Sequence, residues 1–155
     1  MDAASTSTVI DSSNAAVGDD AREPTVTYAV IAPSGTLQFR TVDNSVIIEW
    51  DTPYQVSLWA AVHQDVDPRH GEVNGVALAD GMRAKVADAA GCDPLSYLPN
   101  PVAQAVLTTL GHPPRRWAGT IAIVGYENEH GITASLTAEQ LDIISKAHRL
   151  ALAAA

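Results

Sequence analysis

Cys92 is the only cysteine in the chain. A lone thiol closes no internal disulfide and builds no zinc knuckle by itself, so neither covalent nor metal stapling of that kind is open to this protein. Aromatic residues make up only 5% of the sequence, and phenylalanine occurs once, at Phe39. The interior must therefore be filled by Ala, Val, Leu and Ile. No apolar run approaches the ~18 to 20 residues that span a bilayer. The opening stretch, MDAASTSTVIDSSNAAVGDD, lacks the basic start and apolar segment of a secretory signal, so a cytoplasmic location is expected and no membrane partner. There is no glycine-rich phosphate loop and no GxSxG elbow. Basic residues are scarce, nine against eighteen acids, giving a formal charge of -9 and a pI near 4.7. Direct nucleic-acid binding needs a basic surface and is not expected.

What remains is a chain of 155 residues with 46% apolar content, enough for one domain with a real core. Its acidity is uneven. Residues 1–24 carry a net of -4, residues 25–42 only Arg40, residues 43–93 a net of -6, and residues 94–155 a net of zero. Solubility accounts for this distribution without further assumption. The sharper reading is an acidic face for a basic partner. Mimicry of DNA phosphates would need denser, more regular carboxylates than these.

Residues 1–24 are Ser, Thr, Ala and Asp without periodicity and read as a disordered acidic tail. A single domain is expected over 25–152. Residues 25–32 and 36–42 predict two strands around Pro33-Ser34-Gly35, and 46–50 a third. Residues 51–62 predict a helix capped by Asp51 or Thr52 with Pro53 in its first turn; a fourth strand is the alternative. That helix would share Val56, Trp59, Ala60 and His63 on one face, and a loop over 64–75 would follow. Residues 76–79 and 82–88 predict a hairpin through Asp80-Gly81. Asn100 and Pro101 predict the start of a helix with a stripe of Val102, Ala105, Val106, Thr109 and Leu110, stopped by Gly111. Residues 117–125 read as an interior strand, and 132–135 as a further short one. Thr137 to Gln140 fits a capping box for a last helix over about 138–152, with Leu141, Ile144, Ala147 and Ala151 inward. Strands dominate early and no β-α-β rhythm appears. The fold class expected is α+β, a mostly antiparallel sheet with two or three helices.

These elements, in this order, resemble the DUF3846 family, a domain of unknown function. The likeness rests on Tyr28-Ala29-Val30-Ile31-Ala32-Pro33-Ser34-Gly35, then Leu98-Pro99-Asn100-Pro101, then Gly119-Thr120-Ile121-Ala122-Ile123-Val124-Gly125, then Ser135-Leu136-Thr137-Ala138-Glu139-Gln140. It covers about residues 27–148 and is sharpest over 95–145. The acidic tail and a longer stretch at 51–80 depart from it. The resemblance implies a small accessory product of actinobacterial phages, plasmids or other mobile elements. It transfers no catalytic position and no cofactor.

Few residues suggest chemistry. His63, Asp65, Asp67 and His70 have imidazole and carboxylate ligands in an H-x-D-x-D-x-x-H spacing, which could hold zinc, manganese or iron and serve a small metal-dependent hydrolase. A polar loop explains them equally. Glu127, Glu129 and His130 read as a solvated turn. Asp93 beside Cys92 would raise the thiol pKa and disfavour a nucleophile. Trp50, Trp59 and Trp117 read chiefly as packing, with Tyr54 or Trp59 a candidate anchor for a partner. Arg115-Arg116-Trp117 is a small patch that could meet a phosphate or carboxylate. The functional expectation is a non-enzymatic modulator without a cofactor. It would bind a host protein through Tyr54, Trp59, Asp65, Asp67 and Glu72 in the acidic part. A metal-dependent hydrolase and a DNA mimic are the alternatives. An open strand edge could also pair two copies, though nothing in the sequence selects the strand.

Overall fold

The computed structural model describes residues 23–69, 72–91 and 95–155. Among the described residues seven strands and three α-helices run in the order β1 (Thr25–Ile31), β2 (Leu37–Asp43), β3 (Val46–Glu49), β4 (Thr52–Gln55), α1 (Val56–Val66), β5 (Val73–Ala77), β6 (Arg83–Ala87), α2 (Pro101–Thr109), β7 (Ile121–Val124) and α3 (Ala138–Ala154). Five strands form one sheet in the order β2-β1-β7-β6-β5, and each neighbouring pair is antiparallel. The α+β antiparallel expectation therefore holds. β3 and β4 form a separate hairpin. Most of the expected tail lies outside the described residues; its last two, Glu23 and Pro24, give their carbonyls to the side chain and backbone N–H of Asn44.

β1 and β7 are covered on both faces, which is why they read as largely apolar runs, whereas β6 alternates half-buried Arg83 and Lys85 with buried Ala84 and Val86. Ala29, Ile31, Ala84, Val86, Ile121 and Ile123 point at α2 and α3. Val26, Tyr28, Val30, Ala122 and Val124 point at α1. β7 sits in the middle, buried at all four residues, as its composition predicts.

Caps and turns follow the sequence closely. Asn100 caps α2 by accepting from the Ala103 N–H at 3.0 Å. Thr137 and Gln140 form the reciprocal capping box of α3. Asp80 and Gly81 both hold positive φ, 59° and 78°, as a type I′ turn requires. Gly125 is demanded by contact: a Cβ there would sit well inside touching distance of the Ala134 carbonyl oxygen.

The middle of the chain corrects several readings. Both alternatives for 51–62 occur in succession: Thr52–Gln55 is a strand and the helix begins only at Val56. Asp51 lies in a hairpin turn and Pro53 in β4, so neither starts the helix. The inward face of α1 is Leu58, Val62 and Val66, while Val56 and Ala60 are exposed. On α2 the buried positions are Val102, Ala103, Val106 and Leu107; Thr109 is exposed. On α3 the expected face holds, with Leu141 half-buried against the core beside Ile144, Ala147 and Ala151, and Gln140 joins the buried residues. β5 begins at Val73, inside the expected loop, and 132–135 contributes only one bridge, between Glu127 and Thr133.

Candidate functional site

The acidic residues near the end of α1 are ties within the fold. Asp65 accepts a hydrogen bond from the Tyr28 hydroxyl at 2.5 Å and pairs with the Arg40 guanidinium at 2.9 Å. Burial first, then the hydrogen bond and charge of Asp65, push the Tyr28 hydroxyl well above the usual tyrosine pKa, with Arg40 opposing. Asp67 is 1% exposed and accepts from the Tyr97 hydroxyl at 2.9 Å. The two carboxylates thus join α1 to β1 and to the 95–97 segment. His63 and Asp65 belong to the last turns of α1 rather than to a loop, and His70 lies outside the described residues. Among the described residues no three His, Cys, Asp or Glu side chains converge as metal ligands would.

The expected partner-binding residues differ in exposure, and only Glu72 is fully on the surface. Asp67 is buried, Asp65 is largely covered, Tyr54 is half-buried in β4 and Glu72 is exposed. Trp59 is half-buried beneath Lys85, whose ammonium lies 4.8 Å from the ring centroid. Burial, and then the neighbouring charge of Arg83, lower the pKa of that lysine. Cys92 is outside the described residues. The Glu127–His130 stretch is a turn organised by Asn128, whose side-chain oxygen accepts from the His130 and Ile132 N–H groups, with Glu129 and His130 exposed.

The exposed feature that sequence reasoning missed is the tip of the β3–β4 hairpin. Val46 to Glu49 pairs with Thr52 to Gln55, and Trp50 and Asp51 make the turn. Trp50 is 93% exposed, Ile48 64% and Ile47 45%. Asp43, Glu49 and Asp51 lie exposed on and beside the hairpin, and no Lys or Arg occurs between Arg40 and Arg69. The result is an apolar, aromatic tip in an acidic setting.

Its backbone is unusual for those residues. Trp50 has φ 54° and Asp51 φ 60°. Asp tolerates left-handed backbone, but a bulky residue there is an outlier that costs about 1–2 kcal/mol. The Asp80-Gly81 turn, by contrast, uses side chains suited to positive φ. Strain of this kind, where no packing demands it, points to a role for the strained residue.

The hairpin is rooted firmly. The Gln55 side chain is 1% exposed; its amide donates to the Thr133 carbonyl at 2.8 Å and to Asn44 Oδ1 at 2.9 Å, and its oxygen accepts from the Thr133 N–H at 2.8 Å. The Val56 N–H reaches the Ser45 carbonyl. Gln55 is thus spent on the loop before α3, which explains why α1 starts without a side-chain cap. The one legible signal was the spacing: two short β-prone runs separated by Trp-Asp.

No protein-family model, no curated protein and no solved structure matches this chain. Among the described residues no helix is long and apolar enough to cross a membrane.

Proposed function

We propose that this chain is a non-enzymatic accessory protein, of the mobile-element kind its motif order resembles, that acts by docking on a host protein through the β3–β4 tip. The observation that carries the reading is Trp50, 93% exposed on left-handed backbone at the end of a rooted hairpin. A tryptophan ring buries roughly 150–250 Å² when it enters a pocket, and such aromatic anchors commonly dominate an interface. The surrounding carboxylates select a partner whose pocket is apolar and rimmed by Lys or Arg, and they speed its approach. This keeps the acidic stretch 43–93 as the contact region but moves its centre from α1 to the hairpin.

The test compares the wild-type chain with Trp50→Ser and with the double variant Glu49→Lys, Asp51→Lys, immobilised and exposed to host lysate. The reading requires one protein retained by the wild type and lost by both variants, with both variants still unfolding cooperatively from a native far-UV circular dichroism spectrum. Equal retention by Trp50→Ser, or no retained protein at all, defeats it. A wild-type dimer that Trp50→Ser dissolves would make the tip a self-interface and defeat it equally.

A further inference from the structure

A second surface, remote from the hairpin in sequence, gathers more basic than acidic side chains. Between the β5–β6 edge and α2 lies an open cleft of about 760 Å³. Val76 and Val86 form its floor, Gln104 of α2 and Arg115, Arg116 and Trp117 line it, and the one lining acid, Asp88, accepts a hydrogen bond from the Asn74 amide. The floor residues face this side because they belong to the alternate set of β5 and β6 directed toward α2.

Three observations point to what the cleft would hold. First, its size is that of sites for small organic molecules, which span roughly 300–1,000 Å³. Second, the Arg115 guanidinium lies over the Trp117 ring, 4.5 Å from the ring centroid, while the His112 ring meets the same indole edge-on at 5.2 Å. The contact with the indole face engages the cation through its charge and uses none of its N–H groups as a hydrogen-bond donor to the ring edge, and a guanidinium offers the paired donors suited to a carboxylate or phosphate. Third, neither Arg115 nor Arg116 has a carboxylate partner among the described residues. Two neighbouring arginines against the single lining carboxylate of Asp88 leave a local excess of positive charge in a chain of net charge -9. Solubility does not require them, since the surface already carries excess charge.

We infer that the cleft binds a small organic anion, with its phosphate or carboxylate head on Arg115 and Arg116 and its apolar body over Val76 and Val86. Head and body act together. The head overcomes the unfavourable field of an acidic protein only where both guanidinium groups meet it, and the body supplies the burial that a bare ion lacks.

The experiment is a titration of the full chain, followed by amide NMR shifts, with four probes: phenyl phosphate, phenylacetate, phenylacetamide and inorganic phosphate. Saturable shifts confined to residues 74–76, 86–88, 101–104 and 115–118 are expected with phenyl phosphate or phenylacetate at about millimolar concentrations. Stronger binding of one of these two identifies the head group. Phenylacetamide and inorganic phosphate should bind at least about tenfold more weakly, since each lacks one half of the recognition. The double replacement Arg115→Gln, Arg116→Gln should weaken the anionic probes about tenfold or more, while Arg149→Gln, an exposed arginine on α3, should change nothing. The inference is overturned if neither anionic probe saturates, if phenylacetamide or inorganic phosphate binds as well as the better of the two anionic probes, if the shifts map elsewhere, or if the double variant binds unchanged. Far-UV circular dichroism confirms that the variants are folded. Because Trp50 takes no part, this test and that of the hairpin tip succeed or fail separately.

Discussion

Replacing Trp50-Asp51 by Asn-Gly should make the protein more stable while abolishing its docking. Trp50 bears the full cost of left-handed backbone, about 1–2 kcal/mol for a bulky residue, and Asp51 bears a smaller one. Asn-Gly is the pair that suits a two-residue turn with positive φ at both positions. Almost nothing is lost in packing, because the Trp50 side chain is 93% exposed. The added freedom of glycine in the unfolded chain takes back about 0.5 kcal/mol. The net expectation is a gain of about 1 kcal/mol, or an increase of roughly 3–5 °C in Tm for a domain of this size. Urea unfolding followed by far-UV circular dichroism measures it without relying on tryptophan fluorescence, which the substitution alters. A loss of stability of about 1 kcal/mol or more would refute the reasoning, since it would mean that the indole is packed or the turn relaxed. Trp50→Ser should bind its partner at least about 30-fold more weakly, the effect of losing a hot spot of ~2 kcal/mol.

Three further outcomes follow from buried contacts. Asn100→Asp keeps the cap acceptor of α2 but removes the amide that donates to the Ile31 and Gly119 carbonyls at 3.0 and 2.9 Å, so it should destabilise by about 3 kcal/mol or more; a near-neutral result by chemical denaturation would reduce Asn100 to a simple cap. Gly125→Ala drives a methyl into the Ala134 carbonyl and should cost about 2 kcal/mol or more, which thermal melting reads directly. The folded pKa of Tyr28 is raised, so its contribution is fully present below the unfolded value of 10.0 and is lost as pH climbs above it. That loss has a limiting slope of about 1.4 kcal/mol per pH unit, and Tyr28→Phe should remove this component from the stability profile between pH 9 and 12.

Legibility in the sequence tracked how local the physics was. Asn100-Pro101, Thr137 to Gln140 and Asp80-Gly81 each satisfy backbone groups within a few residues, and each was readable where it stands. The faces of α1 and α2 were displaced because a helix with apolar residues on several sides does not declare which side the sheet will take; Leu58 and Val62 won over Val56 and Ala60 through tertiary packing. The Asp-rich end of α1 invited a metal reading because sequence shows ligands and not their partners, here Tyr28, Arg40 and Tyr97 from distant segments. The hairpin tip was hidden for the opposite reason. A turn occupied by Trp-Asp violates turn chemistry, so Trp50 read as the end of a strand and as core. The cleft was visible only as Arg115-Arg116-Trp117, because its floor comes from β5 and β6.

The central claim is that the hairpin tip is the surface that meets a host protein. A photo-crosslinking amino acid at position 50, and separately at the exposed position 153 near the end of α3, reads contact at each place in host cells. The account predicts one discrete adduct at position 50 to a protein other than this chain, reduced by Glu49→Lys with Asp51→Lys, and none at 153. Equal adducts at both positions, or none at position 50, would contradict it.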